Sequence, residues 1–211
     1  MKRETVRSAL VVVDVQHDFL PGGALAVADG DTILAPLADL MASSRFSVVI
    51  ATQDWHPPGH ISFASSHPGR EAFDEIVLYG RPQTLWPDHC VQGTSGAQLH
   101  PSLPMEPVSA IVRKGTDPGV DSYSAIRNNW DSDGLRPTTG LAGYLRERGV
   151  EDVWVAGLAR DFCVLWTALD AVNMGFEVSV LWDLSRSVDP GSDDRVRRAL
   201  SEHGVRLMEE G

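Results

Sequence analysis

Basic residues are scarce in this chain. Lys and Arg number 18 against 29 Asp and Glu, a formal balance of −11, which excludes the basic surface that nucleic acid or an anionic membrane requires. Cysteine is scarcer still. Cys90 and Cys163 are the only two, too few for a disulfide-stapled scaffold and suited to a reducing compartment. Long apolar runs are also missing, and no stretch approaches the roughly 20 residues of a membrane span. The N-terminal "MKRETVRSALVVVDVQ" has the basic-then-apolar order of a secretory leader. Its apolar run (9–13) is too short, however, is closed by Asp14, and has no small-residue cleavage site behind it. These absences point to a soluble, cytoplasmic protein.

What is present reads as an α/β enzyme. With 43% hydrophobic residues in 211, the chain can bury one sizeable core, so a single domain over 1–211 is expected. Strand candidates are 8–15, 46–53, 108–115, 150–158 and 176–184, with a weaker one at 205–208. Their apolar runs are continuous, as expected where both sheet faces are covered. Helical patterns lie between them at 31–44, 138–149, 162–174 and 192–204. Pro36 blunts the first, Thr and Ser residues are placed to cap the second and last, and a glycine closes each of those two. Alternating strands and helices predict a doubly wound, mainly parallel sheet of about six strands with helices on both faces. Residues 53–107 break this rhythm. They are rich in Pro, Gly and His, and a segment that long inside a compact domain is usually functional.

In such a sheet, ligands bind outside the carboxyl ends of the strands. Asp14 follows the first strand, Asp54 and His56 the second, Lys114 the third, and Cys163 lies after the fourth, at the expected start of a helix. Taken singly, each has a plainer reading: a turn carboxylate, a solvated lysine, a small buried thiol. Taken together they form a nucleophile with its supports. A helix N-terminus and an ammonium favour a thiolate, and a carboxylate can take the thiol proton. Cys163 would then attack an acyl carbon, Asp14 would act as general base, Lys114 would balance charge, and backbone N–H groups of the "GLAR" turn would receive the oxyanion.

The loop "QDWHPPGH" places Asp54, His56 and His60 within seven residues, stiffened by Pro57 and Pro58, and His89 in "LWPDHC" is a fourth candidate. One carboxylate and three imidazoles suit a divalent metal, zinc first, with manganese or iron as alternatives. His17, His67, His100 and His203 are expected to be ordinary loop or capping histidines.

The segments "DVQHDFLPGGALAV", "TQDWHPPGHISF", "LWPDHCVQGTSGAQLH", "VRKGTDPGVDSYSAI" and "PTTGLAGYLRERGVEDVWVAGLARDFCV" together resemble the nicotinamidase/pyrazinamidase branch of the isochorismatase-like hydrolases, in order, over about residues 9–183. The resemblance implies a catalytic triad of Asp14, Lys114 and Cys163, and a metal site of Asp54, His56, His60 and His89. It implies a cis peptide at Leu158–Ala159, with oxyanion donors from the backbone of Ala159 and Cys163. It further implies that the metal grips the ring nitrogen of a pyridine carboxamide, with Phe19 and Trp86 flanking the ring and Tyr123 closing the pocket. The expected reaction is conversion of nicotinamide to nicotinate and ammonia through a thioester, with pyrazinamide also accepted. Two positions depart from the family pattern. His17 stands where asparagine is usual and is expected to adjoin the pocket entrance. Arg160 replaces a common threonine and is expected at the back of the site or in solvent.

Two other readings stand beside this one. A related cysteine amidohydrolase would cleave a different small amide or ureide. A non-catalytic metal-binding module would account for the Asp/His loop but leave Asp14, Lys114 and Cys163 without a role. The expected partner is a small-molecule amide, not nucleic acid or membrane, and the sequence leaves homo-oligomer formation open.

Overall fold

The computed structural model describes residues 7–209. The basic residues Lys2 and Arg3, on which the leader-like reading of the N-terminus rests, lie outside them. Six strands form one parallel sheet, β1 (Arg7–Val13), β2 (Val48–Asp54), β5 (Val108–Lys114), β6 (Val150–Leu158), β7 (Glu177–Arg186) and β8 (Arg206–Met208). Their order is β5-β2-β1-β6-β7-β8. The chain first winds outward from β1 to β2 and β5, then returns to β6 on the other side of β1, so strand order reverses between β1 and β6. That reversal opens the crevice in which doubly wound sheets bind ligands.

Helix α1 (Leu34–Ala42) covers one face, where Leu37 and Met41 pack with Leu10, Val12 and Val49. On the other face, α2 (Leu141–Glu147), α3 (Leu165–Asn173) and α4 (Asp193–Glu202) pack on Val11, Val13, Ile50, Val153 and Val155. Central β2 is buried along its whole length. The edge strand β5 instead alternates between exposed and covered residues, because it has one neighbour and a half-covered surface. Pro36 falls in the first turn of α1, where the missing N–H costs no helical bond. Helix α2 is preceded by Gly140 at the cap, with the Thr139 hydroxyl accepting the Leu141 N–H. Ser192, expected to cap α4, instead donates its hydroxyl to Asp189 O.

Within 53–107 the chain forms a hairpin that alternation did not announce, β3 (Glu75–Leu78) and β4 (Arg81–Thr84). Its two-residue turn, Tyr79 and Gly80, has positive φ at both positions, as the favoured hairpin turns require. Among the described residues no helix is long and apolar enough to cross a membrane.

Candidate active site

The reactive side chains reach one sheet edge because each ends a parallel strand. Asp14 follows β1, Asp54 closes β2, Lys114 closes β5, and Cys163 lies in a single π-helical turn (Arg160–Val164) between β6 and α3. Such turns often mark functional positions in helices. β2 and β5 pair so that Asp54 stands opposite Lys114, and the Lys114 ammonium donates to Asp54 Oδ1 at 2.6 Å. The same Nζ lies 2.9 Å from Asp14 Oδ2, 3.0 Å from Ser122 O and 3.4 Å from Cys163 Sγ. One ammonium therefore sits among two carboxylates and a thiol, all of them buried. β6 can approach β1 this closely because residue 157 is glycine. A Cβ there would meet Val13 O at 2.1 Å, and its φ of +113° is one that a side chain rarely adopts.

Asp14 has a left-handed backbone, φ 48°. Thr52 of β2 holds it at two points. The Thr52 hydroxyl donates to Asp14 Oδ1 at 2.6 Å and accepts the Asp14 N–H at 3.1 Å. Asp14 Oδ2 is ion-paired to Lys114, yet it is the one buried side-chain polar atom among the described residues without a well-aligned hydrogen bond. One carboxylate oxygen each of Asp14 and Asp54 and the Cys163 sulfur lie within 4.8 Å of one another, so the Asp14 carboxylate is near enough to take the thiol proton.

Burial and the neighbouring charges set the protonation states. Burial pushes the Asp14 carboxyl up, and although Lys114 pulls it back, it stays above the ordinary range. Burial also pushes Asp54 up, but the Lys114 ammonium and His56 reverse this and hold it well below that range. Burial lowers Lys114, which Asp14 and Asp54 outweigh, so its ammonium is held well above the usual value. Burial pushes the Cys163 thiol well up, Lys114 offsets only part of this, and the two carboxylates add to it. These surroundings favour the thiol form of Cys163 over the thiolate expected from the sequence.

The thiol opens into a narrow cavity. Phe19, Trp86, Tyr123, Phe162 and Ala159 wall it, and Asp54, His56 and His89 open into it. Trp86 meets Phe162 edge-on at 4.7 Å and Tyr123 at 6.2 Å. The peptide between Leu158 and Ala159, at the end of β6, is cis.

The donor set beside the cavity fits a divalent metal. His56 Nδ1 donates to Gly115 O at 3.0 Å and His89 Nδ1 to Pro87 O at 2.8 Å. A carbonyl can only accept, so in the neutral ring Nε2 carries the lone pair, and the two Nε2 atoms lie 3.5 and 3.7 Å from Asp54 Oδ2. This is the second-sphere pattern that orients metal-ligating imidazoles. Gly115 makes it possible, because a Cβ there would meet the His56 ring at 2.3 Å. Asp54, His56 and His89 thus converge within 4.8 Å. His60 does not join them. It groups with His56 and Asp121, and its ring nitrogens are engaged by Ser62 Oγ at 2.7 Å and Val120 O at 3.3 Å.

Comparison with known proteins agrees with this geometry. The isochorismatase domain family matches residues 8–210. The chain belongs to the isochorismatase family. It is 49% identical to a nicotinamidase of Acinetobacter baylyi, over 86% of this chain and 82% of that protein. Among solved structures, an Acinetobacter baumanii nicotinamidase/pyrazinamidase superposes with a TM-score of 0.90 at 47% identity, covering 98% of each chain. A pyrazinamidase of Pyrococcus horikoshii in complex with zinc superposes at 0.78 with 34% identity, covering 97% of this chain and 99% of that one.

The two departures from the family pattern lie away from the cavity. Arg160 is buried, neither at the back of the pocket nor in solvent. It donates to Asp193 Oδ2 at 2.6 Å, to Ser185 Oγ at 3.0 Å and to Trp182 O at 2.9 Å, and stacks on the Trp182 ring at 3.9 Å. It therefore ties the π-turn to β7 and α4. His17 packs against His100, ring centroids 5.1 Å apart, and lines a separate surface cavity.

Sequence reasoning missed Thr52, Gln16 and Phe162. Gln16 clamps the Asp54 backbone at both ends, accepting its N–H and donating to its C=O, each at 2.8 Å. Phe162 had a signal, being adjacent to the nucleophile. Thr52 had one as well: a polar residue two places before Asp54, directly after the apolar run 48–51 of the central strand.

Proposed function

We propose that this chain is an amidohydrolase converting nicotinamide to nicotinate and ammonia through a thioester on Cys163, and that it also turns over pyrazinamide. One observation carries the reading: a buried thiol, carboxylate and ammonium meet at the floor of an aromatic-walled cavity that also presents metal donors. The reading takes residues 1–211 as one domain whose 53–107 segment supplies the metal and ring contacts. Its two free thiols suit a cytoplasmic setting.

The chemistry follows from the protonation states. The Cys163 sulfur bonds to the amide carbon as its proton passes to Asp14 Oδ2, whose raised affinity for protons matches that task. The oxyanion formed is received by the backbone N–H groups of Ala159 and Cys163. Asp14 then returns the proton to nitrogen, the C–N bond breaks, and ammonia leaves with a thioester behind. Water attacks this acyl carbon while Asp14 takes its proton. The C–S bond breaks and the sulfur recovers the proton, leaving nicotinic acid, which loses its carboxyl proton to solvent to give nicotinate. Lys114 keeps its charge throughout and holds both carboxylates in place. Phe19 and Trp86 flank the ring and Tyr123 closes the pocket.

Asp54, His56 and His89 would hold a divalent metal, zinc by the chemistry of two imidazoles and a carboxylate, with His60 on the outer side of His56. When bound, that ion supplies a Lewis-acidic anchor for the ring nitrogen of the substrate. Ammonia release from nicotinamide by the native enzyme beside Cys163→Ala tests the reading. Release is expected from the first and not the second, and equal rates would sink it.

A further inference from the structure

A second, narrow cavity lies behind Tyr123. Tyr123 is the one residue lining both cavities, so its ring is their common wall. Gln83 pins that wall, donating to the Tyr123 hydroxyl at 3.1 Å and to Asp121 Oδ2 at 2.6 Å. Beyond it the aromatic surface continues. Trp166 lies 6.5 Å from Tyr123, and Trp130 lies 6.4 Å from Trp166.

Two guanidinium groups meet these tryptophans, and they differ in one respect. Arg136, 4.8 Å from the Trp130 ring, has its charge matched by Asp170 through two bonds of 2.7 Å. Arg81, on β4 at the lip of the cavity, stacks over Trp130 at 4.1 Å and forms no ion pair among the described residues. On a chain with a balance of −11, an exposed cation without a carboxylate partner, set beside two tryptophan rings that meet edge-on, is a place for a planar anion.

We propose that this cavity is a product subsite, binding a planar aromatic carboxylate with its ring against Trp166, edge-on to Trp130, and its carboxylate on Arg81. The inference rests on the reaction assigned above, which turns a neutral amide into such an anion. Substrate and product differ by that one charge, so Arg81 distinguishes them where stacking cannot. The anion formed at Cys163 lies among the carboxylates of Asp14 and Asp54, and a guanidinium on the far side of Tyr123 gives it a complementary site before release.

The test uses nicotinate as inhibitor and ligand. Arg81→Gln is expected to weaken inhibition by nicotinate about tenfold while KM and kcat for nicotinamide stay within about twofold, and Arg81→Lys should recover part of the loss. Calorimetric titration of Cys163→Ala with nicotinate should give two sites per chain, and the same protein with Arg81→Gln one. Unchanged inhibition in Arg81→Gln, or one site in both titrations, would overturn the proposal. So would an equal weakening toward an uncharged ring such as 3-methylpyridine, which would make the effect one of packing. A native enzyme that released no ammonia from nicotinamide would instead refute the assigned reaction, so the two failures are distinct.

Discussion

Replacing Thr52 with valine tests the acid–base chemistry through a residue that touches neither substrate nor metal. The two side chains are near in volume, so no cavity opens and the cost is polar. The hydroxyl donates to Asp14 Oδ1 at 2.6 Å and accepts the Asp14 N–H at 3.1 Å, fully buried. A hydrogen bond to a charged group contributes about 1.5–3 kcal/mol, and a buried N–H left without an acceptor costs about 1–3 kcal/mol. Both pass through one oxygen and do not fully add, so the expected loss is about 2–3 kcal/mol. Urea unfolding should show it as a lower midpoint with an unchanged slope. The pH profile is the sharper readout. Thr52 favours the ionised form of Asp14, so its removal raises the carboxyl further. The base is then lost at a higher pH as the solution is acidified, and the acid limb of kcat/KM moves upward. Thr52→Ser, which keeps the hydroxyl, should return the limb to its native position. A native acid limb in Thr52→Val, with a stability loss below about 0.5 kcal/mol, would refute the account of how Asp14 is held and tuned.

Three further outcomes are expected. Gly115→Ala puts a methyl group 2.3 Å from the His56 ring at a φ of +64°, so metal affinity measured by competition with a chelator should fall by about 10–100-fold, with the far-ultraviolet circular dichroism unchanged. Arg160→Met breaks a buried ion pair whose partner Asp193 keeps some contact with water, so the loss should fall at the low end of about 3–5 kcal/mol. Well below the melting temperature its kcat/KM should stay native, whereas a large drop would place Arg160 in the chemistry. Trp86→Ala removes a wall of the reactive cavity and should raise KM for nicotinamide more than it lowers kcat, as steady-state kinetics would show.

The strands and helices were legible because continuous apolar runs and helical periods each admit one placement in a doubly wound sheet. Asp54 and Lys114 fell on the same edge by the same logic, since both end parallel strands, and the structure sets them opposite one another. The β3–β4 hairpin was not legible. Its strands are short, half-exposed and interrupted by Pro82, so alternation gave no pattern. His60 shows the limit of spacing as a guide. Chain proximity put it with Asp54 and His56, but its position is decided by Ser62 and Val120, one of them remote in sequence. Arg160 shows the same limit from the other side. Its partners on β7 and α4 are more than 20 residues away, and only tertiary structure reveals that its guanidinium turns from the pocket.

The thiol of Cys163 is where sequence and structure part most usefully. A helix start and a lysine both argue for a thiolate, and each is present. Two carboxylates share that lysine, however, and the whole group is buried. In a medium of low polarity one ammonium balances one carboxylate. A thiolate as well would leave two unmatched negative charges beside Lys114, which burial makes costly. The proton therefore stays on sulfur until an acyl carbon arrives. In the mechanism proposed above, the proton moves to Asp14 as sulfur bonds to that carbon, and the negative charge travels on to the oxyanion. The nucleophile is thus activated by the substrate's presence rather than beforehand. A thiol held this way should react slowly with iodoacetamide at neutral pH while turning over its own substrate, so a slow alkylation rate is no evidence against catalysis here.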